Sequence, residues 1–173
     1  MSLSIVVTGG SRSGKSVYAE GRAKALASER GLGLVYIATA EPFDDEMRTR
    51  IDEHQARRGS EWHNYHAPLK LAEALVETDG QGVCLVDCLT IWLNNLLYAD
   101  LDIDAATHKL FDGLKARTDP VIFVTNEVGS GIVPENALAR RFRDEAGRLN
   151  QKCAAQVDEV YVSISGIAMR LKP

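Results

Sequence analysis

The sequence predicts a single α/β domain over residues 1–173, with a mostly parallel twisted sheet and helices on both faces. Short runs rich in β-branched residues alternate along the chain with segments of helical periodicity. These runs are apolar throughout rather than alternating, as expected for strands that are covered on both faces. The composition, 45% hydrophobic and 25% charged over 173 residues, is typical of one globular core.

Five strand candidates and six helical patterns alternate along the chain. The strands are predicted at 4–7, 34–39, 83–87, 121–126 and 159–165. The helices are predicted near 14–30, 44–58, 68–78, 89–98, 104–117 and 135–157. Strand–helix–strand units with right-handed crossovers place ligands at the carboxyl ends of the strands, so each loop after a strand is a candidate site.

Two helical patterns carry further expectations. The pattern at 135–157 is the clearest, with one apolar stripe formed by Leu138, Phe142, Ala146, Leu149, Cys153 and Val157. The pattern at 89–98 is rich in large apolar residues, which suits either the core or a contact between subunits. The segments 79–82 and 117–120 are predicted to be ordinary turns before strands.

Charge and composition exclude several classes of partner. With 20 basic and 24 acidic residues the formal net charge is −4, so no general basic field favours a nucleic acid. No segment approaches the ~20 apolar residues of a membrane span, and we expect a cytoplasmic protein. Cys84, Cys88 and Cys153 have no CxxC spacing, so we expect three reduced and largely buried thiols.

A glycine-rich turn follows the first strand. Gly9, four further residues and then Gly14, Lys15 and Ser16 match GxxxxGK[ST], between a strand and a helix. In a P-loop NTPase-like domain the backbone amides of this turn face phosphate oxygens, the lysine bridges phosphates and the serine binds Mg²⁺. The alternative is a turn that only lets the helix pack closely on the strand.

An acidic residue completes this pattern. Asp87 ends a buried apolar strand, where a second metal-side carboxylate is usual. The guanine-reading element [NT]KxD of switch GTPases is missing, because the corresponding stretch reads TNEVG at 125–129. A nucleotide site that is not a GTPase switch is therefore predicted.

A histidine on the predicted second helix is a candidate nucleophile. Met47, Ile51, His54 and Arg58 share one face of that helix, which starts at the nucleotide edge of the sheet. An imidazole near two guanidiniums, those of Arg57 and Arg58, suits an anionic ligand and can form a phosphoramidate, although packing in the core is the alternative. His63, His66 and His108 lack this setting and are interpreted as surface or packing residues.

The loop after the fourth predicted strand leaves two readings open. Its glycines 129 and 131 suit either a close approach to substrate, with Asn126 and Glu127 facing the site, or a compact turn into the next helix. The basic cluster Arg140, Arg141 and Arg143 is interpreted as a solvated helix face.

Taken in order, several segments resemble the bifunctional adenosylcobinamide kinase/adenosylcobinamide-phosphate guanylyltransferase family over almost the whole chain. They are TGGSRSGKS (8–16), YIATA (36–40), DDEMRTRIDEHQARRGSEW (44–62), LVDCLTIWLNNLL (85–97), VTNEVGSGIVPENALARRFRDEAGRLNQ (124–151) and DEVYVSISG (158–166). The H-x₃-R-x₃-W element (His54, Arg58 and Trp62) and the NEVGSGIVP loop are the most specific parts.

The resemblance implies two reactions in cobalamin biosynthesis and a set of site residues. A nucleoside triphosphate, ATP or GTP, phosphorylates adenosylcobinamide; GTP then guanylylates His54, and GMP passes to adenosylcobinamide phosphate. Lys15 and Arg58 would stabilise phosphate charge, and Ser16 and Asp87 would hold Mg²⁺, although some relatives carry glutamate at the position of Asp87. The implied nucleotide-binding residues are Gly9, Gly10, Ser11, Arg12, Ser13, Gly14, Lys15, Ser16, Ala38, Thr39, Ala40, Gln55, Arg57, Arg58, Trp62 and Asp87.

The resemblance also implies a homo-oligomer, with a trimer as the expected form. Two alternatives stay open from the residues alone. One is a plain P-loop small-molecule kinase in which His54 forms no covalent bond. The other is a GTP-binding regulatory module without a small substrate.

Overall fold

The computed structural model describes residues 2–41 and 59–173, and in them seven strands form one sheet. The strands are β1 (Ser4–Gly9), β2 (Leu34–Ala38), β3 (Trp62–His66), β4 (Val83–Asp87), β5 (Val121–Val124), β6 (Glu159–Ile164) and β7 (Ile167–Lys172). Their order across the sheet is β3-β2-β4-β5-β1-β6-β7. Only the β6–β7 pair is antiparallel among these strands, so the predicted mostly parallel sheet is confirmed.

Five helices connect these strands in the described residues. They are α1 (Lys15–Arg30), α2 (Leu71–Glu77), α3 (Leu89–Tyr98), α4 (Ile103–Ala116) and α5 (Ala137–Gln156). Each agrees with a predicted helix to within three residues at either end. The helix predicted for 44–58 lies outside the described residues.

The core lies on both faces of the sheet, because successive side chains of each strand point in opposite directions. Along β1, Val6 joins the cluster that packs under α2 to α5, whereas Ile5 and Val7 join the cluster that packs under α1. The α/β class with helices on both faces is therefore confirmed. Cys84, Cys88 and Cys153 are free and buried, as predicted.

Two strands have no counterpart in the prediction. Strand β3 reads WHNYH, with three exposed polar residues, because it lies at the sheet edge and is covered less than the central strands. Strand β7 forms the other edge and pairs antiparallel with β6, and its apolar residues Ile167, Met169 and Leu171 are exposed. Both strands lack the continuous buried apolar run from which the other five were predicted.

The two singled-out helices differ in their burial. In α3, Leu89, Trp92, Leu93 and Leu96 are buried, so this helix belongs to the core. In α5 the predicted stripe is buried from Ala146 onward, while Leu138 in its first turn is half exposed. The helix packs on the sheet mainly through its C-terminal half.

The segment 117–120 is more than an ordinary turn, because Arg117 is 4% exposed. Its guanidinium donates hydrogen bonds to the carbonyl oxygens of Leu75, Thr78 and Gly82 and to the Thr78 hydroxyl. It therefore ties the end of α4 to the end of α2 and to the turn before β4. No helix in the described parts of the chain has the length and apolar character that crossing a membrane requires.

Candidate functional site

The phosphate loop, residues Gly9–Ser16, connects β1 to α1 as the motif requires. Its residues Gly10, Ser11 and Arg12 are exposed, whereas Ser13 and Lys15 are buried. Because α1 begins at Lys15, its unpaired N-terminal amides and the positive end of its dipole point toward the loop. This arrangement suits phosphate oxygens.

Glycine is required at two positions of the phosphate loop by close packing. A Cβ on Gly9 would lie 2.5 Å from the Ser13 hydroxyl oxygen and 2.5 Å from the Ser163 carbonyl oxygen. Gly14 has φ +92°, and a Cβ there would lie 3.0 Å from the Gly166 Cα. The loop could not keep this shape with a side chain at either position.

The end of β6 and the turn that follows it are hydrogen-bonded to the phosphate loop. The Gly166 amide donates to the Ser13 carbonyl oxygen at 2.9 Å, and the Ser163 hydroxyl donates to the same oxygen at 2.7 Å. This turn comes about 150 residues later in the chain, and no local pattern indicates that it meets the loop. The two hydrogen bonds fix the Ser13 carbonyl group of the phosphate loop.

Lys15 lies at the centre of the site. Its Nζ donates to the Gly10 carbonyl oxygen at 3.0 Å across the loop. Burial lowers the pKa of this ammonium group below its ordinary value, while Cys88 and Asp87 nearby act in the opposite direction. Phosphate oxygens would supply the negative charge that a buried ammonium needs.

Asp87 ends β4 at the same edge of the sheet, and its surroundings position it. The Tyr36 hydroxyl donates to Asp87 Oδ2 at 3.0 Å. The Thr39 hydroxyl accepts from the Cys88 amide at 2.9 Å and donates to the Cys88 carbonyl oxygen at 2.8 Å. Cys88, the residue after Asp87, is therefore held at both its amide and its carbonyl group. Tyr36 was not among the site residues predicted from the sequence.

The donor set at this edge fits Mg²⁺. Mg²⁺ prefers oxygen ligands, keeps several waters and uses one or two protein ligands together with substrate phosphates. The Ser16 hydroxyl and the Asp87 carboxylate are such oxygens. Ser16 belongs to the phosphate loop, and Asp87 is near enough to Lys15 to raise the pKa of its ammonium group. No cluster of three or more His, Cys, Asp or Glu residues that could hold a metal ion is found in the described residues.

Ala38 ends β2 at the same edge, and Thr39 and Ala40 follow it. Thr39 is fully buried and its hydroxyl is used on Cys88, so this side chain supports Asp87. The Ala40 carbonyl oxygen lies 2.9 Å from His66 Nε2. His66 is thus an exposed residue at the edge where the nucleotide is expected, whereas His63 and His108 are exposed elsewhere.

Trp62 is not brought to this edge. It begins β3, opposite Leu34 at the start of β2, and is 5% exposed. Its ring contacts Tyr36 edge to face, with 6.0 Å between centroids. Since phosphate-binding groups lie where the parallel strands end, the observed place of Trp62 gives it a packing role.

The remaining predicted residues lie outside the described residues. These are His54, Gln55, Arg57 and Arg58. Their functional assignments stay predictions.

The loop after β5 meets the phosphate loop. The Glu127 amide donates to the Gly9 carbonyl oxygen at 3.0 Å, so this loop lies at the site. Its tip is apolar and exposed, with Ile132 96% exposed. Arg140 and Arg141 are exposed, and Arg143 pairs with the adjacent Asp144 at 3.8 Å, as expected of a solvated face.

Comparison with known sequences identifies a family over nearly the whole chain. The family model described as cobinamide kinase / cobinamide phosphate guanyltransferase matches residues 5–171. The chain is 44% identical to the bifunctional adenosylcobalamin biosynthesis protein CobP of Pseudomonas aeruginosa over 170 residues, covering 96% of each chain. It is 39% identical to the bifunctional adenosylcobalamin biosynthesis protein CobU of Escherichia coli over 184 residues, covering 97% of this chain and 99% of that one.

Comparison with solved structures supports the fold alone. The flagellar accessory protein FlaH from Methanocaldococcus jannaschii matches with a TM-score of 0.55 at 13% identity, covering 98% of this chain and 78% of that one. A KaiC-like protein from Pyrococcus horikoshii matches with a TM-score of 0.52 at 15% identity, covering 92% and 70%.

Proposed function

The chain belongs to the cobinamide kinase / cobinamide phosphate guanyltransferase family, and from this premise we propose how its residues perform the two reactions. The observation that carries the proposal is the shared location of the phosphate loop, Lys15 and Asp87 at one edge of the sheet. The substrates are adenosylcobinamide, its phosphate and the nucleoside triphosphates ATP and GTP.

In the kinase reaction the cobinamide hydroxyl oxygen forms a bond to the γ-phosphorus. The bond from that phosphorus to the bridging oxygen breaks, the nucleoside diphosphate leaves, and the hydroxyl proton is released. The loop amides and Lys15 hold the triphosphate in line and offset its charge, which is the main protein contribution to such a transfer.

In the guanylyltransferase reaction His54 attacks the α-phosphorus of GTP and pyrophosphate leaves. The cobinamide phosphate oxygen then attacks the same phosphorus, the bond to His54 breaks, and adenosylcobinamide-GDP forms. A neutral imidazole is a competent nucleophile near pH 7, and the guanidinium of Arg58 offsets charge on the α-phosphate.

Mg²⁺ would be held by the Ser16 hydroxyl and the Asp87 carboxylate together with the phosphates. When bound, it neutralises phosphate charge during transfer. The Tyr36 hydroxyl and Thr39 hold Asp87 in place for that purpose.

A covalent labelling experiment tests the histidine step. Purified protein is incubated with Mg²⁺ and GTP labelled at the α-phosphate and then run on a denaturing gel. Label that is acid-labile and alkali-stable is expected on the wild type and missing from His54→Ala. His108→Ala is the matched control, because His108 is exposed and pairs with Asp112 on the surface of α4.

Two results would contradict this assignment. Equal labelling of His54→Ala would move the covalent step to another residue. An unlabelled wild type that binds GTP and phosphorylates cobinamide would favour the plain kinase, whereas GTP binding without either transfer would favour the regulatory module.

The oligomeric state is part of the same proposal. We expect a homo-oligomer, specifically a trimer, which light scattering of the purified chain measures directly. A monomer at micromolar concentration would contradict it.

A further inference from the structure

Asn126 lies at the edge of the sheet that carries the candidate site. It follows β5, which lies between β1, the strand leading to the phosphate loop, and β4, the strand ending in Asp87. The Thr125 amide donates to the Val7 carbonyl oxygen and the Glu127 amide donates to the Gly9 carbonyl oxygen, each at 3.0 Å. Asn126 therefore continues the central strand between the loop and the carboxylate.

Both peptide groups of Asn126 are held by side chains from other elements. Its amide donates to the Thr90 hydroxyl oxygen at 2.7 Å, and its carbonyl oxygen accepts from Asn150 Nδ2 at 3.0 Å. The Thr125 hydroxyl donates to Asn150 Oδ1 at 2.7 Å and lies 3.2 Å from the Thr90 hydroxyl. These contacts close a ring that starts and ends at Asn126.

Counting hydrogens fixes the direction of the ring. A hydroxyl has one hydrogen, and that of Thr125 is used on Asn150 Oδ1. Thr90 must therefore donate to Thr125 while it accepts from the Asn126 amide. Every bond then runs the same way round, and hydrogen bonds aligned head to tail strengthen one another.

Two members of the ring, Thr90 and Thr125, are buried, whereas Asn126 and Asn150 are partly buried. Thr90 is 6% and Thr125 is 2% exposed, and they come from α3 and from the end of β5. The Asn126 Oδ1 is buried without a hydrogen-bond partner in the described parts of the chain. The side chains of Thr90, Thr125 and Asn150 thus fix the backbone of Asn126, whereas its own side-chain oxygen is available to a ligand.

We propose that Thr90, Thr125 and Asn150 are positioning residues that hold the Asn126 carboxamide against the triphosphate during the two transfers. This inference rests on the proposed function, because it takes the nucleotide as the missing partner. The carboxamide contacts substrate directly, so Asn126 is the catalytic member, and the other three act through it.

The physical reason is preorganisation. Negative charge shifts among the phosphate oxygens as a phosphorus–oxygen bond breaks, and a donor on a backbone already fixed in place stabilises that charge with little reorganisation. The unpartnered Oδ1 is an acceptor, so the donor is the Nδ2 of the same carboxamide, which a half-turn of the amide group brings to the position of Oδ1. A side chain on a free loop would lose this advantage. Removing the ring should therefore affect the transfer rate more than nucleotide binding.

The test compares Asn126→Ala, Thr90→Val and Thr90→Ser in the full-length protein. Steady-state phosphorylation of adenosylcobinamide with Mg²⁺ and GTP gives kcat and KM. Affinity for a non-hydrolysable GTP analogue and the melting temperature are measured on the same preparations. Valine has the shape of threonine without the hydroxyl, whereas serine keeps the hydroxyl.

Asn126→Ala is expected to lower kcat by about tenfold to a hundredfold, in the range of a lost transition-state donor. Thr90→Val is expected to lower kcat by about fivefold, with KM and analogue affinity changed by less than about threefold. Thr90→Ser should restore kcat to within about twofold of the wild type, because the ring needs only the hydroxyl.

Other outcomes overturn the inference. If Thr90→Val or Asn126→Ala keeps the wild-type kcat, the ring has no role in the transfer step. If Thr90→Ser loses as much kcat as Thr90→Val, and the losses parallel a fall in the melting temperature, the ring only stabilises the fold. Failure of the proposed function looks different, since the wild type itself would then neither phosphorylate cobinamide nor release pyrophosphate from GTP.

Discussion

At the scale of single residues, removing the hydroxyl oxygen of Tyr36 tests whether this residue positions Asp87 for metal binding. Its hydroxyl donates to Asp87 Oδ2 at 3.0 Å, and its ring contacts Trp62 edge to face. Tyr36→Phe keeps the ring and loses the donor. Groups that orient a metal-side carboxylate typically change metal affinity by about tenfold or more when removed, so we expect the Mg²⁺ concentration for half-maximal nucleotide binding to rise several-fold.

The measurement is a Mg²⁺ titration of GTP-analogue binding, repeated for activity. Tyr65→Phe is the matched control, because the Tyr65 hydroxyl also donates a hydrogen bond, to Gln81 Oε1 at 2.6 Å, at an exposed position away from Asp87. An unchanged Mg²⁺ midpoint in Tyr36→Phe would show that the hydroxyl does not help to hold the carboxylate for metal.

The residues that could be predicted from the sequence are those whose chemistry is written in consecutive positions. The phosphate loop is such a case, because Gly9, Gly14, Lys15 and Ser16 act within one turn. Tyr36, Thr90 and Asn150 act only because strand order and helix packing bring them to Asp87 and Asn126. No local pattern marks them, so the sequence could not identify them.

At the scale of elements, Arg117 joins α4, α2 and the turn before β4. Besides its hydrogen bonds to carbonyl oxygens, its Nε lies 3.9 Å from Asp79 Oδ1, within reach of charge attraction but too far for a hydrogen bond. Arg117→Met would leave several buried acceptors without this donor. We expect the free energy of unfolding to fall by about 3 kcal/mol, as found when one partner of a buried charged network is removed.

Urea unfolding followed by circular dichroism measures this change as a lower midpoint. Lys115→Met is the control two residues earlier, because Lys115 is exposed and its pair with Asp112 is a surface ion pair at 3.7 Å. Its effect should stay within about 0.5 kcal/mol. Equal effects of the two substitutions would contradict a specific role for Arg117.

The elements that could be predicted were those with a clear period or a buried apolar run. The two edge strands, β3 and β7, lacked that run because an edge strand is stabilised by pairing with one neighbour and by its context in the sheet. The segment 117–120 was predicted to be an ordinary turn, because the burial of Arg117 depends on α2, which is distant in the sequence. Both differences come from tertiary contacts that override local pattern.

At the scale of the whole molecule, the reactivity of the three buried cysteines tests whether the protein unfolds as one cooperative unit. Burial raises the pKa of Cys84 to about 11 and the pKa of Cys153 to about 12. Burial, helped by the nearby Asp87, raises the pKa of Cys88 to about 12. At pH 8 the thiolate fraction of the folded protein is then about one part in a thousand or less, whereas an unfolded cysteine with a pKa near 8.5 is substantially ionised.

We therefore expect thiol reagents to modify the folded protein only through unfolding. Cys84 and Cys153 belong to the cluster under α2 to α5, and Cys88 belongs to the cluster under α1. The same central strands contribute to both clusters, so opening one face should open the other, and all three thiols should react with one common rate constant. Mass spectrometry of protein alkylated at pH 8 over a urea series measures the three rates.

The common rate should rise with urea, and Mg²⁺ with GTP should lower it at all three positions, because a ligand that binds only the native state makes unfolding rarer. Protein in denaturing urea is the control, in which all three thiols should react fast. Early modification of Cys88 alone, at a rate that urea leaves unchanged, would contradict a single cooperative unit and show that the edge carrying Asp87 opens locally. Early modification of Cys153 alone would instead place the independent opening in α5, the helix that also carries Asn150.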